Sequence, residues 1–390
     1  MFPSKHNPEE LNKPYERIHT LALILAGGAL APLTSRVAKP AIPFAGKYRV
    51  IDFTLCNLVN SNLDHIAALV QFNAQPLIEH LKDDILYGPD QRQIPEIQTW
   101  QASVARTGKD SYLGTADAVY QNRDFIAQEN CDTVLIVAGD HISRQDYRDL
   151  LRFHQQKAAD LTIAVTSVSP EDSQRFGMVE IDRDQKITRF VEKPQESESK
   201  LASMGIYVFN TAFLLSCLEK DARDNTSRHD FGLDIIPPLV KTGKVFAYRH
   251  NDYWADLSTL EAYWKANLDL LGDGPASNLL DPAWMLQDSW NSTVPANIRP
   301  GGVVKNSLVS EGCVIAGEVE HSVLSPGVRV EKGAIVRDSV ILHDAVVHSG
   351  AIVNRCVVDN LAEIAANTRV GATADQAASH SQSEITFIGK

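Results

Sequence analysis

Three stretches of this chain carry residue types suited to phosphate and metal chemistry. The first is Ala26-Gly27-Gly28-Ala29-Leu30-Ala31-Pro32-Leu33-Thr34. Paired glycines let a backbone turn tightly and approach an anion with no Cβ in the way. Arg36, Lys39, Lys47 and Arg49 follow within fourteen residues, opposed only by Asp52. Such a cluster is either a solvated basic face or an anion site, and the adjoining glycine turn favours the anion site. The second stretch is Val134-Leu135-Ile136-Val137-Ala138-Gly139-Asp140-His141. An apolar run delivering one carboxylate past a glycine suits a Mg²⁺ ligand, since hard cations take few carboxylates plus phosphate oxygens. A turn or cap aspartate is the plain alternative, and His141 reads as structural. The third is Phe190-Val191-Glu192-Lys193-Pro194. Glu192 can accept from sugar hydroxyls and Lys193 can pair with a phosphate, although a Glu-Lys pair before proline is usually a solvated turn. Gly114-Thr115-Ala116-Asp117 opens a helix, where unpaired amides favour anions.

The elements that must position these residues alternate in type. Leu21–Leu25, Ile66–Val70, Thr133–Val137, Leu161–Val165 and Gly205–Phe209 read as buried strands, with helices such as Ala116–Glu129 and Tyr147–Ala159 between them. This implies an α/β, doubly wound, mostly parallel sheet. Ligands bind beyond the carboxyl ends of such strands, so Gly27-Gly28 and Gly139-Asp140 should meet in one crevice. The proline- and glycine-rich stretch 271–300 reads as a linker. Beyond it, Val328, Ala334, Val340, Val346, Ile352, Val358, Ile364 and Val370 recur every six residues. That repeat looks like a left-handed parallel β-helix over 301–390, with Val328, Val346 and Ile364 expected in one interior column.

The segment from Leu23 to Asn267 resembles the sugar-nucleotide pyrophosphorylases, most closely the glucose-1-phosphate adenylyltransferases. Their opening pattern, L-A-G-G-x-G-T-R-L-x-P-L-T then R-A-K-P-A-V-P-F-G-G-K-Y-R-I-I-D-F, is matched from Leu25 to Phe53, except that the block G-T-R is absent. Ala138–Ile142, Phe176-Gly177, Glu192-Lys193-Pro194, Ala202–Tyr207 and Asp230–Pro237 also match. Tyr253–Thr259 resembles Y-W-x-D-[VI]-G-T, with Ser258 in place of the glycine. Ser111 stands where a tryptophan is usual, and the Q-Q-R element is not recognisable in Gln101 to Arg106. The resemblance implies a Rossmann-like nucleotidyltransferase domain over 18–270 that makes ADP-glucose and pyrophosphate from ATP and glucose-1-phosphate for glycogen synthesis. It implies catalytic roles for Lys39, Asp140 and Asp256, with Mg²⁺ on the two aspartates. Glucose-1-phosphate would lie on Tyr112, Gly177, Glu192, Lys193 and Ser203, and the nucleotide on Gly27, Gly28, Gln71 and Gly114. Related enzymes are tetramers tuned by metabolites, so a homotetramer or mixed tetramer is expected, with Arg36, Arg49 and Arg369 as candidates for an anionic effector site. The absent G-T-R supports a second reading, a catalytically impaired regulatory subunit or paralogue that keeps sugar-phosphate binding.

Composition bounds the rest. At 390 residues the chain should hold two domains. A net charge of −12 disfavours nucleic-acid binding, and no run approaches the ~18 apolar residues of a membrane span. Residues 1–17 read as a flexible polar lead, not a signal peptide. Five scattered cysteines without C-x-x-C spacing fit buried thiols in a reducing cytoplasm.

Overall fold

The computed structural model describes residues 19–71, 73–83, 95–102, 112–274, 276–285, 294–371 and 385–389. The N-terminal lead, Ser111 and most of the Gln101-to-Arg106 stretch lie outside the described residues.

The first domain is built on a nine-stranded sheet. Its strands are β1 (Thr20–Leu25), β2 (His65–Val70), β3 (Ile97–Gln101), β4 (Thr133–Ala138), β6 (Leu161–Ser167), β7 (Gly177–Ile181), β8 (Ile187–Glu192), β9 (Leu201–Asn210) and β10 (Val245–Arg249). A separate two-stranded ribbon pairs β5 (His141–Ser143) with β11 (Trp254–Asp256). The main sheet runs β8-β7-β9-β4-β1-β2-β3, with β6 joining β9 to β10. The half that carries the glycine turn is parallel: β1 pairs with both β2 and β4, and β2 with β3. The other half is mixed, because β9 runs antiparallel to β4, β6 and β7.

Alternation along β1 divides the core into two layers. Ala22 and Ile24 face a cluster built from α1 (Val50–Asn60), α2 (Gln75–Asp83) and α5 (Tyr147–Gln156). Leu21 and Leu23 face the opposite cluster, which contains Ala116 and Val119 of α3 (Thr115–Gln121), Ile126 of α4 (Arg123–Gln128) and Leu214 and Leu218 of α6 (Thr211–Ala222). The expected single helix Ala116–Glu129 is therefore two, broken at Asn122, whose side chain turns back to Ala118 O and Tyr112. Two further α-helices among the described residues are α7 (Ile236–Thr242) and α8 (Leu260–Leu268). In the stretch read as a linker, Ala276, Leu279 and Met285 are buried in the first domain's core.

The second domain stacks three five-stranded parallel sheets as a left-handed β-helix. Its register corrects the expected sixfold column. Arg329 pairs with Val346, and Val346 with Glu363, so one coil takes 17 residues rather than eighteen. The stacked interior column is Val330, Val347 and Ile364, while Val328 stacks level with Ala345 and Ala362. One side of this coil is a residue short, as inward positions step from Val330 to Val336 to Ile341, then to Val347; the coil before it, from Ile315 to Val330, takes only 15 residues. The β-helix docks on α8. Trp264 Nε1 donates to Asp338 O at 2.7 Å, and Arg355 stacks over the Trp264 ring at 4.7 Å. Val340, Leu342 and Val357 enter the first domain's core. All five cysteines are free, and among the described residues no helix is long and apolar enough to cross a membrane.

Candidate active site

The carboxyl ends of β1 and β4 adjoin because the two strands are hydrogen-bonded neighbours. The chain leaves β1 through Gly27 and Gly28, and Gly28 adopts φ +97°, a conformation that glycine alone takes without strain. The turn is short and closes on itself: Leu30 N donates to Thr34 Oγ1 at 2.8 Å, and Thr34 N to Leu30 O at 3.1 Å. Among the described residues nothing accepts from the amides of Gly27, Gly28 or Ala29. Three donors therefore stay free at the sheet edge, which suits an anion. The chain then returns through the one-turn 3₁₀ helix Lys39–Ala41, where Lys39 N reaches Gly28 O at 3.4 Å. Lys39 is buried, and its Nζ lies 2.7 Å from Asp140 Oδ2.

A cavity of about 380 Å³ opens here, lined by Gly27, Gly28, Gln71, Tyr112, Gly114, Asp140 and Asp230 among others. That size suits a small-molecule site. Gln71 Oε1 accepts from Tyr112 N at 3.2 Å, which fixes the far wall. All four residues expected on the nucleotide thus share one cavity. Tyr112, expected on the sugar phosphate, lines the same cavity, and its hydroxyl turns away to Trp100 O and Asn122. Burial raises that phenol's pKa, so it stays neutral.

The sugar-side residues gather on the mixed half of the sheet. Glu192 ends β8 opposite Gly177, the first residue of β7. A Cβ on Gly177 would collide with Phe190 Cζ and lie 2.7 Å from Glu192 Oε2, so the glycine leaves room for both the Phe190 ring and the carboxylate. Ser203 is buried on β9, where its hydroxyl accepts from Gly205 N at 3.4 Å. Lys193 is mostly exposed and sits at φ +45°, with Nζ 3.8 Å from Glu192 Oε1. Desolvation raises the Glu192 pKa, with Lys193 acting in the opposite direction. Asp230 joins the two halves. It lines the cavity with Asp140, binds Thr115 Oγ1 at 2.9 Å, and adds its negative charge at Glu192. In the sequence Asp230 stands out only within the matching run Asp230–Pro237; it caps the short helix Phe231–Ile235, accepting from Gly232 N and Leu233 N, and an aspartate at such a start was the available signal.

Asp256 ends β11, directly opposite His141 on β5. Asp140 and Asp256 thus flank one imidazole, and both act on it electrostatically. His141 is fully buried, and desolvation draws its pKa down to about 4, so it is neutral near pH 7. Asp256 also lines a second, larger cleft of about 650 Å³ with Arg175, Phe176 and Trp254. Arg175, which sequence reasoning missed, binds Asp256 Oδ2 at 2.9 Å. Among the described residues no cluster of three or more His, Cys, Asp or Glu could cage a metal. Asp140 shares its cavity with the glycine turn, whereas Asp256 lines the other cleft; as hard carboxylate donors both suit Mg²⁺, which completes its shell with water and phosphate oxygens.

The expected effector arginines are not brought together. Arg49 lines a cleft between the domains with Lys47, His80, His343 and Asp359, and its Nη1 donates to Pro76 O. Arg36 is exposed outside that cleft, and Arg369 is exposed on the strand Arg369–Gly371.

Residues 21–272 match the nucleotidyl transferase family, and residues 292–387 match the GlmU-like C-terminal hexapeptide family. The chain is 44% identical over 321 residues to a glucose-1-phosphate adenylyltransferase of Clostridium acetobutylicum, covering 81% of this chain and 84% of that protein. It is 41% identical over 375 residues to one from Methylococcus capsulatus, covering 90% and 88%. The chain belongs to the glucose-1-phosphate adenylyltransferase family. A third member, from Geobacillus stearothermophilus, is 44% identical over 322 residues, covering 81% of this chain and 83% of its own. As a nucleotidyltransferase, this chain pairs an enzymatic first domain with a hexapeptide-repeat second domain.

Proposed function

We propose that this chain makes ADP-glucose and pyrophosphate from ATP and glucose-1-phosphate, as the names of its relatives indicate for them. The observation that carries the reading is the meeting of the Gly27-Gly28 turn, with its free amides, and Asp140 at one cavity, with Lys39 bonded to Asp140 and Asp230 leading on to Glu192. A phosphate oxygen of glucose-1-phosphate attacks the α-phosphorus of ATP in line, and pyrophosphate leaves. Such chemistry needs positioning and charge neutralisation more than a protein nucleophile. The glycine-turn amides and Lys39 hold the triphosphate, with Gln71 and Gly114 at its nucleoside end. Glu192 accepts from sugar hydroxyls beside Ser203 and Gly177, and Lys193 swings to the sugar phosphate. Asp140 and Asp256 would hold Mg²⁺, which when bound would neutralise charge on the phosphates.

In this reading the enzyme serves glycogen synthesis in the cytoplasm as a homotetramer or mixed tetramer. Anionic effectors would enter the cleft at Arg49. The short turn at Gly28–Thr34 favours one second reading, a catalytically impaired subunit that still binds sugar phosphate. Pyrophosphate release from ATP and glucose-1-phosphate by the purified chain alone tests both. Turnover at ordinary enzyme rates of ~1–10³ per second supports the first reading. Sugar-phosphate binding without turnover supports the second.

A further inference from the structure

Asp256 is not held by its own strand alone. Arg175 closes the 3₁₀ helix Pro170–Arg175, which Ser169 caps through its hydroxyl. Its guanidinium makes a three-way bridge. Nη1 donates to Asp172 Oδ1 at 2.9 Å; Nη2 donates to Asp256 Oδ2 and to Ser258 Oγ, each at 2.9 Å. The same group lies 5.1 Å from the Phe176 ring centre, and Phe176 packs edge-on against Trp254 of β11 at 5.2 Å. Ser258 N also donates to Asp256 Oδ2, at 3.1 Å. One carboxylate oxygen therefore takes two N–H donors. Among the described residues nothing is bonded to the other, Oδ1.

We propose that Arg175 is a positioning residue for the cation site. It holds Oδ2 of Asp256 and so presents Oδ1 as the single free ligand atom. The inference rests on the reading of Asp256 as a metal carboxylate. A carboxylate free to spin offers either oxygen in many directions, whereas one pinned at its outer oxygen is already oriented. Outer partners of ligating groups typically contribute ~10–100-fold to metal affinity. The residue type fits the task, because a guanidinium presents its donors in a fixed planar fork, whereas an ammonium is a point charge on a flexible stem. Its positive charge opposes a nearby cation, but Asp172 shares that charge and Arg175 is a third exposed, so solvent screens it. Ser258 gives Nη2 an acceptor that glycine would lack.

Mn²⁺ alone, titrated into the full chain and followed by the electron-paramagnetic-resonance signal of free Mn²⁺, tests this. Asp256→Asn should abolish or strongly weaken uptake. Arg175→Ala should weaken it by about tenfold or more, with an unchanged melting temperature. Arg175→Lys should fall between Arg175→Ala and wild type, and Ser258→Gly should show a smaller loss than Arg175→Ala. If Arg175→Ala does not fold, Arg175→Lys and Ser258→Gly decide, and wild-type affinity in both overturns the proposal. Unchanged or tighter Mn²⁺ binding in Arg175→Ala overturns it while leaving the metal reading standing. Wild-type binding in Asp256→Asn, or no uptake by the wild type, overturns the metal reading itself.

Discussion

Lys39 Nζ and Asp140 Oδ2 lie 2.7 Å apart, joining the segment after the glycine turn to the end of β4. The lysine side chain is only 4% exposed, whereas Asp140 keeps 27% exposure. The ammonium is thus held behind Asp140, which lines the cavity, while the carboxylate still reaches solvent. Removing a positioned charge donor at a transition state typically costs ~10²–10³ in rate. Lys39→Ala should therefore lower kcat for pyrophosphate release by about that factor, with glucose-1-phosphate affinity little changed. An equal fall in sugar-phosphate affinity, read by calorimetry, would place Lys39 on the wrong substrate.

The short turn makes a second prediction. Leu30 N is committed to Thr34 Oγ1, which leaves three free amides and no arginine at the turn. Inserting Gly-Thr-Arg between Ala29 and Leu30 adds amides and a cation where negative charge gathers as pyrophosphate departs. Pyrophosphate release should rise by ~10²–10³, with glucose-1-phosphate affinity nearly unchanged. No gain in rate would show that the turn as it stands already holds the triphosphate.

Lys193 bears on the sugar side. Its ammonium is mostly exposed and only loosely paired with Glu192, so it is available to a phosphate. Lys193→Ala should raise the dissociation constant for glucose-1-phosphate by at least about tenfold, the effect of losing a charge-assisted bond of ~1.5–3 kcal/mol. Unchanged affinity by calorimetry would remove Lys193 from the site.

Glu192 should give sugar-phosphate binding a pH dependence. Burial favours its neutral form, so its pKa lies above the usual 4.5. As pH falls, the carboxylate gains its proton earlier than an ordinary glutamate and loses acceptor capacity. Glucose-1-phosphate affinity should weaken on acidification with a midpoint above pH 4.5, and Glu192→Gln should flatten the profile. A profile unaltered by Glu192→Gln would assign the titration to another group.

The 17-residue coil separates two adjacent valines. Val347 is fully buried in the interior column, whereas Val346 is only partly buried. Val347→Asp places an unpaired charge in an apolar core and should unfold the β-helix, because an isolated buried charge is very costly. Val346→Asp should melt close to wild type by calorimetry. The reverse order would restore the sixfold column.

The sequence by itself determined the local features. The apolar runs of β1 and β4, the glycines that end them and the aliphatic repeat are legible because strand period and turn chemistry act over a few neighbouring residues. It located Gly27, Gly28 and Asp140 just past strand ends, whereas the strand that Glu192 ends was not among those it read. Only the tertiary structure decided which of these meet. Lys39 and Asp140 are 101 residues apart, and Arg175 and Asp256 are 81 apart. Their contacts exist because β1 lies beside β4, and because β11 turns back onto β5. The same holds for the coil length, where a shortened side shifts every later valine against the one below it. Tyr112 likewise faces Trp100 and Asn122 because the break between α3 and α4 brings Asn122 to its hydroxyl. Side-chain partners across such distances are set by strand order and register, and neither leaves a periodic trace in the chain.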